Sequence, residues 1–289
     1  MLGSVGDLVE DVVVRLHERV NIASDTRATV VRRRGGSAAN VVAAARLAGG
    51  AARFIGQVGD DATGHSLTDA LAAVGADVVV RRAGRTGTIV VLVDVAGERT
   101  MLSDRAASIE LTDPDPAWLD GLHTLHVPYY SLVSEPLATT TATLARWAAD
   151  RGIRLSIDTS SAAILHHVGP AHALAQIRAM RPAVVLANEL EAATLGPMMH
   201  PDHLGGALVI IKQGAEPAIV VASGQPPHEV PAEVVADVRD TTGAGDAFAA
   251  GLLLALAAGA DPISATQRAH VVAADAVRRA SALTPDRGP

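Results

Sequence analysis

The 289-residue chain has no cysteine and a single lysine, Lys212. The lack of cysteine excludes a disulfide framework and any thiolate zinc site. With no Gly-Lys pair, the chain cannot carry a phosphate loop of the Walker type, which needs Gly-Lys followed by Ser or Thr. Aromatic residues are 2% of the chain, so few platforms exist for stacking single-stranded nucleic acid, and a net charge of -7 argues against a general nucleic-acid surface. Apolar runs such as Ala247 to Ala258 fall short of the roughly 18 to 20 residues of a membrane span. Residues Met1 to Val14 carry Asp7, Glu10 and Asp11 and lack the basic start and long apolar core of a signal peptide. The expectation is a soluble cytoplasmic protein with no membrane or nucleic-acid partner.

Apolar material is plentiful: 49% of positions are hydrophobic, enough for a large buried core in one domain. Short β-branched runs alternate with alanine-rich helical stretches, which predicts an α/β domain on a mostly parallel sheet. Strands are expected at Leu2 to Val5, Ala52 to Val58, Thr124 to Val127, Arg154 to Asp158, Ala183 to Ala187, Leu208 to Lys212 and Ala218 to Ala222. Helices are expected at Ala38 to Ala48, Ser66 to Ala73, Pro136 to Asp150, Glu189 to Leu195 and Asp246 to Ala258. Two segments, about 12–34 and 86–103, break this rhythm with alternating strands and polar turns. They predict a small sheet over the end of the main domain where α/β active sites lie, a lid; an edge extension without a catalytic part fits the same pattern.

The richest segment runs from Arg239 to Leu254: Asp240-Thr-Thr-Gly-Ala-Gly-Asp246, then an apolar helix. N–H groups of Gly243, Ala244 and Gly245 would converge with the helix dipole on one point, the arrangement that holds a phosphate or a developing oxyanion. Asp246 stands beside that point, placed to accept a proton. A dinucleotide fingerprint is excluded, because Phe248 falls where the third glycine should be. Arg34-Gly35-Gly36-Ser37-Ala38-Ala39-Asn40 opens another helix; the glycines would admit a ligand, and Asn40 offers a donor and an acceptor, although the segment by itself favours a helix entry with Ser37 as plain N-cap. Asn188 and Glu191, three apart after a strand, share a helix face that would hold the hydration shell of magnesium, and an ordinary acidic helix start looks the same. Lys212 and Gly214 lie in a loop that would border a nucleotide, and Asp7 or Asp11 would accept hydrogen bonds from sugar hydroxyls; as bare patterns these are a hairpin turn and solvated turn acids.

Together these motifs resemble the ribokinase-like, or PfkB, family of carbohydrate kinases. Its C-terminal signature is similar to Arg239 to Leu254, its N-terminal one to Gly35 to Gly64, and its Asn-x-x-Glu motif to Asn188 to Glu191. The resemblance implies a ribokinase-like three-layer α/β fold with a mostly parallel central sheet and a small β-sheet lid. It also implies ATP-dependent phosphorylation of a hydroxyl of a small sugar or sugar acid. Asp246 would be the base, and the N–H groups of Gly243 to Asp246 the anion hole. Gly35, Gly36, Asn40 and Asp11 would hold the sugar, with Asp11 five residues after Gly6. Asn188 and Glu191 would order magnesium and the triphosphate, with magnesium held through water. Lys212, Gly214, Thr242 and His270 would border the nucleotide, and Asp240 with Thr242 would form a monovalent-cation site for K+. A homodimer through the lid is implied too. Ser37 stands where ribokinases proper carry lysine, Pro217 replaces a nucleotide-loop glycine, and Tyr129-Tyr130 replace glycine, which leaves the acceptor open. A nucleoside kinase of the same fold, or a silent sugar- or nucleotide-binding protein, are the alternatives.

Overall fold

Most strands of this chain are apolar on both faces, which forces them into the middle of a layered molecule. A computed structural model, which describes residues 1–282, shows that arrangement. In chain order the elements begin β1 (Leu2–Val5), β2 (Val9–Leu16), β3 (Ala28–Gly35), α1 (Ser37–Leu47), β4 (Ala52–Val58), α2 (Ala62–Ala73), β5 (Asp77–Arg82), β6 (Thr88–Val93) and β7 (Arg99–Asp104). There follow β8 (Thr124–Pro128), α3 (Leu137–Asp150), β9 (Arg154–Asp158), α4 (Ala162–Val168), α5 (Pro170–Ala179), β10 (Val184–Asn188) and α6 (Glu189–Leu195). The last are β11 (Leu208–Gln213), β12 (Glu216–Val221), β13 (His228–Val230), α7 (Ala244–Ala257) and α8 (Pro262–Ala282).

The large sheet has the order β13-β12-β11-β10-β9-β8-β1-β4-β5, parallel from β5 to β11 and antiparallel beyond. Successive residues of a strand feed opposite cores: Phe54, Leu186 and Ile210 face α1, α2, α7 and α8, while Ile55, Ala187 and Val209 face α3 to α6. Helix α7 is apolar nearly all round because it is sandwiched; at Gly251 a Cβ would lie 2.9 Å from Val272 Cβ, so the glycine allows α8 to cross closely.

Because β1, β4 and β8 to β11 run parallel, their carboxyl ends share one edge. Above it lies a second sheet of order β3-β2-β6-β7, with Val9, Val13, Ile89, Val91 and Val93 as its own small core. It reaches slightly beyond the expected inserts: β2 starts at Val9, only four residues after β1 ends, and β3 and β7 run to Gly35 and Asp104. Helix α2 starts at Ala62 rather than Ser66, because the Asp61 carboxylate caps it by accepting from the Gly64 amide at 2.7 Å.

Candidate active site

Asp246 lies in the first turn of α7, and its two carboxylate oxygens are claimed by α1. Ser37 Oγ donates to Oδ1 at 2.7 Å, and Asn40 Nδ2 donates to Oδ2 at 3.0 Å. Asn40 cannot flip its amide, because Arg34 Nη1 donates to its Oδ1 at 3.0 Å. Removal from water pushes the Asp246 pKa up to about 7, further than the Ser37 and Asn40 hydrogen bonds bring it down; the Asp158 charge adds to the rise and Lys212 opposes it. A carboxylate titrating there is a competent proton acceptor near neutrality.

The loop before it is built for an anion, with one change from expectation. Gly243 adopts a left-handed φ of 77° to turn the chain into α7. The Ala244 amide donates to the Thr241 carbonyl at 3.1 Å, and so leaves the expected set of free donors. The first helical bond, Ala247 N–H to Gly243 O at 2.9 Å, comes after Gly245 and Asp246, whose amides remain at the open helix end.

These groups line a cavity of about 430 Å³ together with Asp158, Asn188, Glu191, Lys212, Gly214 and His270. Asp158, Asn188, Lys212 and Gly214 come from the carboxyl ends of β9, β10 and β11, Glu191 from the first turn of α6, and His270 from α8, so the topology itself assembles them. Lys212 reaches the start of α7: its ammonium lies 2.5 Å from Asp158 Oδ2 and 3.4 Å from where a Gly245 Cβ would be. Burial disfavours that charge, yet Asp158, Glu191 and Asp246 together hold its pKa above the ordinary value. Asp158, not anticipated from sequence, ends β9 just as Asn188 ends β10, and that shared position was the available signal.

Asn188 and Glu191 form a closed capping box. Asn188 N–H and Thr159 Oγ1 both donate to Glu191 Oε2, at 2.8 and 2.7 Å, while Asn188 Nδ2 donates to Oε1 at 2.7 Å. Burial, then Asp158, raises the Glu191 pKa. Among the described residues no set of three carboxylates or histidines converges as direct metal ligands.

A second, apolar cavity of about 290 Å³ adjoins the first; Gly214, Thr241, Ala244, His270 and Ala273 line both. His270 packs edge-on against Phe248 and binds the Val230 carbonyl through Nε2 at 3.1 Å, and burial lowers its pKa against the effect of that bond. Pro217 lines neither cavity.

On the acceptor side, Gly35 and Gly36 admit the chain's own groups. A Cβ on Gly35 would lie 2.1 Å from Asp11 Oδ1, and one on Gly36, at φ 98°, 2.4 Å from the Asp7 carbonyl oxygen. Asp11 is pushed up to about 6 by burial and the neighbouring Asp7 charge. Arg105, also unanticipated, pairs with Asp7 and lies 4.0 Å over the Tyr130 ring.

Asp240 and Thr242 differ most from expectation. Arg33 of β3 and Arg99 of β7 both bind the Asp240 carboxylate, at 3.1 and 2.9 Å, and Arg99 also reaches Thr242 Oγ1 at 2.9 Å.

Known proteins resemble this chain over nearly its whole length. The family model described as pfkB family carbohydrate kinase matches residues 2–287. A fructokinase of Klebsiella pneumoniae is 33% identical over 257 residues, 83% of this chain and 82% of that protein. Solved structures share the fold: adenosine kinase from Sinorhizobium meliloti superposes with a TM-score of 0.82 at 23% identity, covering 96% of this chain and 98% of that one. A sugar kinase of Pyrococcus horikoshii in complex with ATP gives 0.80 at 22%, covering 100% and 93%. The fold is therefore ribokinase-like, and the chain belongs to the pfkB family of carbohydrate kinases, phosphotransferases with a sugar hydroxyl as acceptor.

Proposed function

We propose that the whole chain works as one kinase domain that transfers the γ-phosphoryl group of ATP to a hydroxyl of a small sugar, with the second sheet as a lid over the acceptor. The acceptor hydroxyl gives its proton to Asp246 as its oxygen bonds to phosphorus, and the bond from phosphorus to the departing ADP oxygen breaks. One observation carries this reading: Asp246, tuned to about 7, is held by Ser37 and Asn40 on one side and opens onto the N-terminus of α7 on the other.

The transition state of phosphoryl transfer is loose, so charge placement outweighs early proton removal. The Gly245 and Asp246 amides and the α7 dipole meet the transferring group, and Lys212 supplies a full positive charge next to them. Asp11, Asn40, Arg34 and Arg105 hold the acceptor, with Gly35 and Gly36 letting Asp11 and Asp7 close in. Gly214, Thr241 and His270 border the nucleotide, whose base enters the apolar cavity; Thr242, expected there, lines neither cavity and is bound to Asp240 instead. Magnesium fits the oxygen-only donors of Asn188, Glu191 and Asp158; because their oxygens are already hydrogen-bonded, it would be held through water. When bound it would neutralise charge on the β- and γ-phosphates. We place the activity in the cytoplasm, where ATP is available; among the described residues no helix is long and apolar enough to cross a membrane. Two copies pair through their lids in this reading, because Val30, Val31, Met101 and Leu102 on the lid's edge strands are about half exposed.

The test is ADP release across fructose, other sugars, sugar acids, sugar phosphates and nucleosides, with Asp246→Asn as control. Turnover of a sugar that disappears in the variant supports the reading. Turnover of nucleosides alone would replace it with a nucleoside kinase, and ligand-induced thermal shifts without any turnover would leave a silent binding protein.

A further inference from the structure

Residues 231–243, between β13 and α7, contain no helix or strand, yet they deliver Asp246 and the anion hole. Something outside the loop must fix them. One tether is Ser281 of α8, whose Oγ accepts from the Arg239 and Asp240 amides at 3.0 and 3.2 Å. The other is the Asp240 side chain, which is only 3% exposed.

Asp240 Oδ1 accepts from Thr242 N–H at 2.9 Å, Thr242 Oγ1 at 2.5 Å and Arg99 Nη2 at 2.9 Å, and Oδ2 accepts from Arg33 Nη1 at 3.1 Å. Four donors match the roughly four lone-pair sites of a carboxylate. Two guanidiniums already outnumber its single negative charge. The monovalent cation that the resemblance implies here does not fit: its anchoring oxygens are taken, and a third positive charge would be repelled by the first two.

The two arginines come from opposite edges of the lid, β3 and β7. Strand register places them on one face: Arg33 pairs with Asp11, Asp11 with Ile89, and Ile89 with Ser103, an even step from Arg99 on the same strand. The face that presents Asp11 to the acceptor therefore also presents both guanidiniums to the loop.

We propose that Arg33 and Arg99 are positioning residues for phosphoryl transfer, fastening the lid to Asp240 and holding the anion-hole loop where the family resemblance would put a monovalent cation. This rests on the kinase reading. Closing the lid over the acceptor and shaping the anion hole are then one event, so the loop is competent only when the acceptor is covered. The enzyme needs no K+.

Wild type and Arg33→Gln/Arg99→Gln are compared in KCl and in choline chloride at equal ionic strength, by backbone hydrogen exchange of residues 239–246 and by turnover. Wild type is expected to behave identically in both salts. In the double variant, exchange of this segment should rise and kcat should fall, each about tenfold or more, with the acceptor KM little changed and with K+ restoring part of both losses. Faster exchange throughout the large sheet would instead indicate general destabilisation and sink the proposal. So would wild-type turnover that collapses in choline, or a variant whose loop stays protected. If the double variant does not fold, Arg99→Gln alone and the wild-type salt comparison decide. If no acceptor is turned over, the kinase reading fails, and the exchange data still judge the latch.

Discussion

Asn40 and Asp246, 206 residues apart, are joined by a 3.0 Å hydrogen bond whose direction is set from behind by Arg34. This relay keeps a donor aimed at the Asp246 carboxylate and links the entry of α1 to the entry of α7. It also explains how a carboxylate so far removed from water still ionises near neutrality: each donor favours the charged form against the cost of desolvation.

The first prediction concerns pH. With Asp246 as the proposed base, kcat/KM should rise with pH through about 7 and level off above it. Stability should run the other way. A folded pKa above the unfolded value means the folded state holds more protons between about 4 and 7, so stability present at the low end is lost as pH rises through that window. Asp11, raised to about 6, acts in the same sense; Asp240, brought to about 2 by Thr242, Arg99 and Arg33 against the effect of burial, acts only in more acid solution. Asp246→Asn should lower kcat about 10²- to 10⁴-fold. It should also stabilise the protein at pH 8 by up to about 4 kcal/mol, the linkage equivalent of the rise to about 7. The new amide is tolerated, because its Nδ2 can donate to Ser37 Oγ while its Oδ1 keeps the Asn40 bond. Melting temperatures of both proteins from pH 4 to 8 test this; parallel curves would refute it.

Ser37→Ala gives a second, finer test. It removes the 2.7 Å donor to Asp246 and nothing else recorded for that hydroxyl. The acid limb of the rate profile should move to higher pH, while turnover on the alkaline plateau stays close to wild type. A loss of turnover that is uniform with pH would mean that Ser37 contacts the substrate and does not tune the base.

Much of this was legible in the chain. Strands β1, β4 and β9 and helix α6 have the expected bounds, because both-face apolar runs with sharp polar ends admit little else. Helix α8 was missed: Arg268, Asp275, Arg278 and Arg279 break up its apolar pattern, and only a narrow stripe with Ala265, Ala269 and Val272 meets α7. Strand β5 was missed because Asp77, Arg81 and Arg82 leave only three apolar residues on an edge strand. Within the site, motif residues were found from local spacing, but Asp158, Arg33, Arg99 and Arg105 acquire meaning only from partners 54 to 207 residues away. Lys212 is expected at the nucleotide, but spacing along a strand says nothing about the partners a long side chain reaches, here Asp158 and the start of α7.

That placement supplies the third prediction. Lys212→Met removes the cation shared by Asp158, Glu191 and Asp246, so three carboxylates are left to repel one another. Stability should fall by about 3 to 5 kcal/mol, the usual cost of orphaning one member of a buried pair. ATP affinity should fall as well, and the acid limb of the rate profile should move up, since Lys212 lowers the Asp246 pKa. Adding Asp158→Asn should restore most of the stability without the ATP affinity. If the double variant recovers ATP binding, Lys212 serves only to neutralise Asp158 and does not meet the phosphates.

The fourth prediction separates scaffold from chemistry inside the N-terminal signature. Asp61 accepts from Gly64 N–H at 2.7 Å, Thr86 N–H at 2.8 Å and Thr86 Oγ1 at 2.6 Å, pinning the start of α2 to the chain just before it enters the lid at β6. Gly59 is obligatory beside this knot, since a Cβ would lie 2.2 Å from the Thr86 amide. Despite desolvation, these bonds hold the Asp61 pKa below the usual carboxylate value, so its contribution is present at neutral pH and is lost as pH falls through that lowered pKa. Asp61→Ala should cost about 2 to 4 kcal/mol, combining a lost cap with two orphaned Thr86 donors. Asp61→Asn should cost less, because an amide oxygen still accepts from Gly64 N–H and Thr86 Oγ1, and only the Thr86 N–H, now facing the NH2 group, loses its acceptor. In both variants the rise of kcat/KM near pH 7 should stay where it is, because Asp61 is not among Asp246's partners. Denaturant melts measure the first effect and pH-rate profiles the second; a shifted acid limb would show that the knot transmits to the base and is more than scaffold.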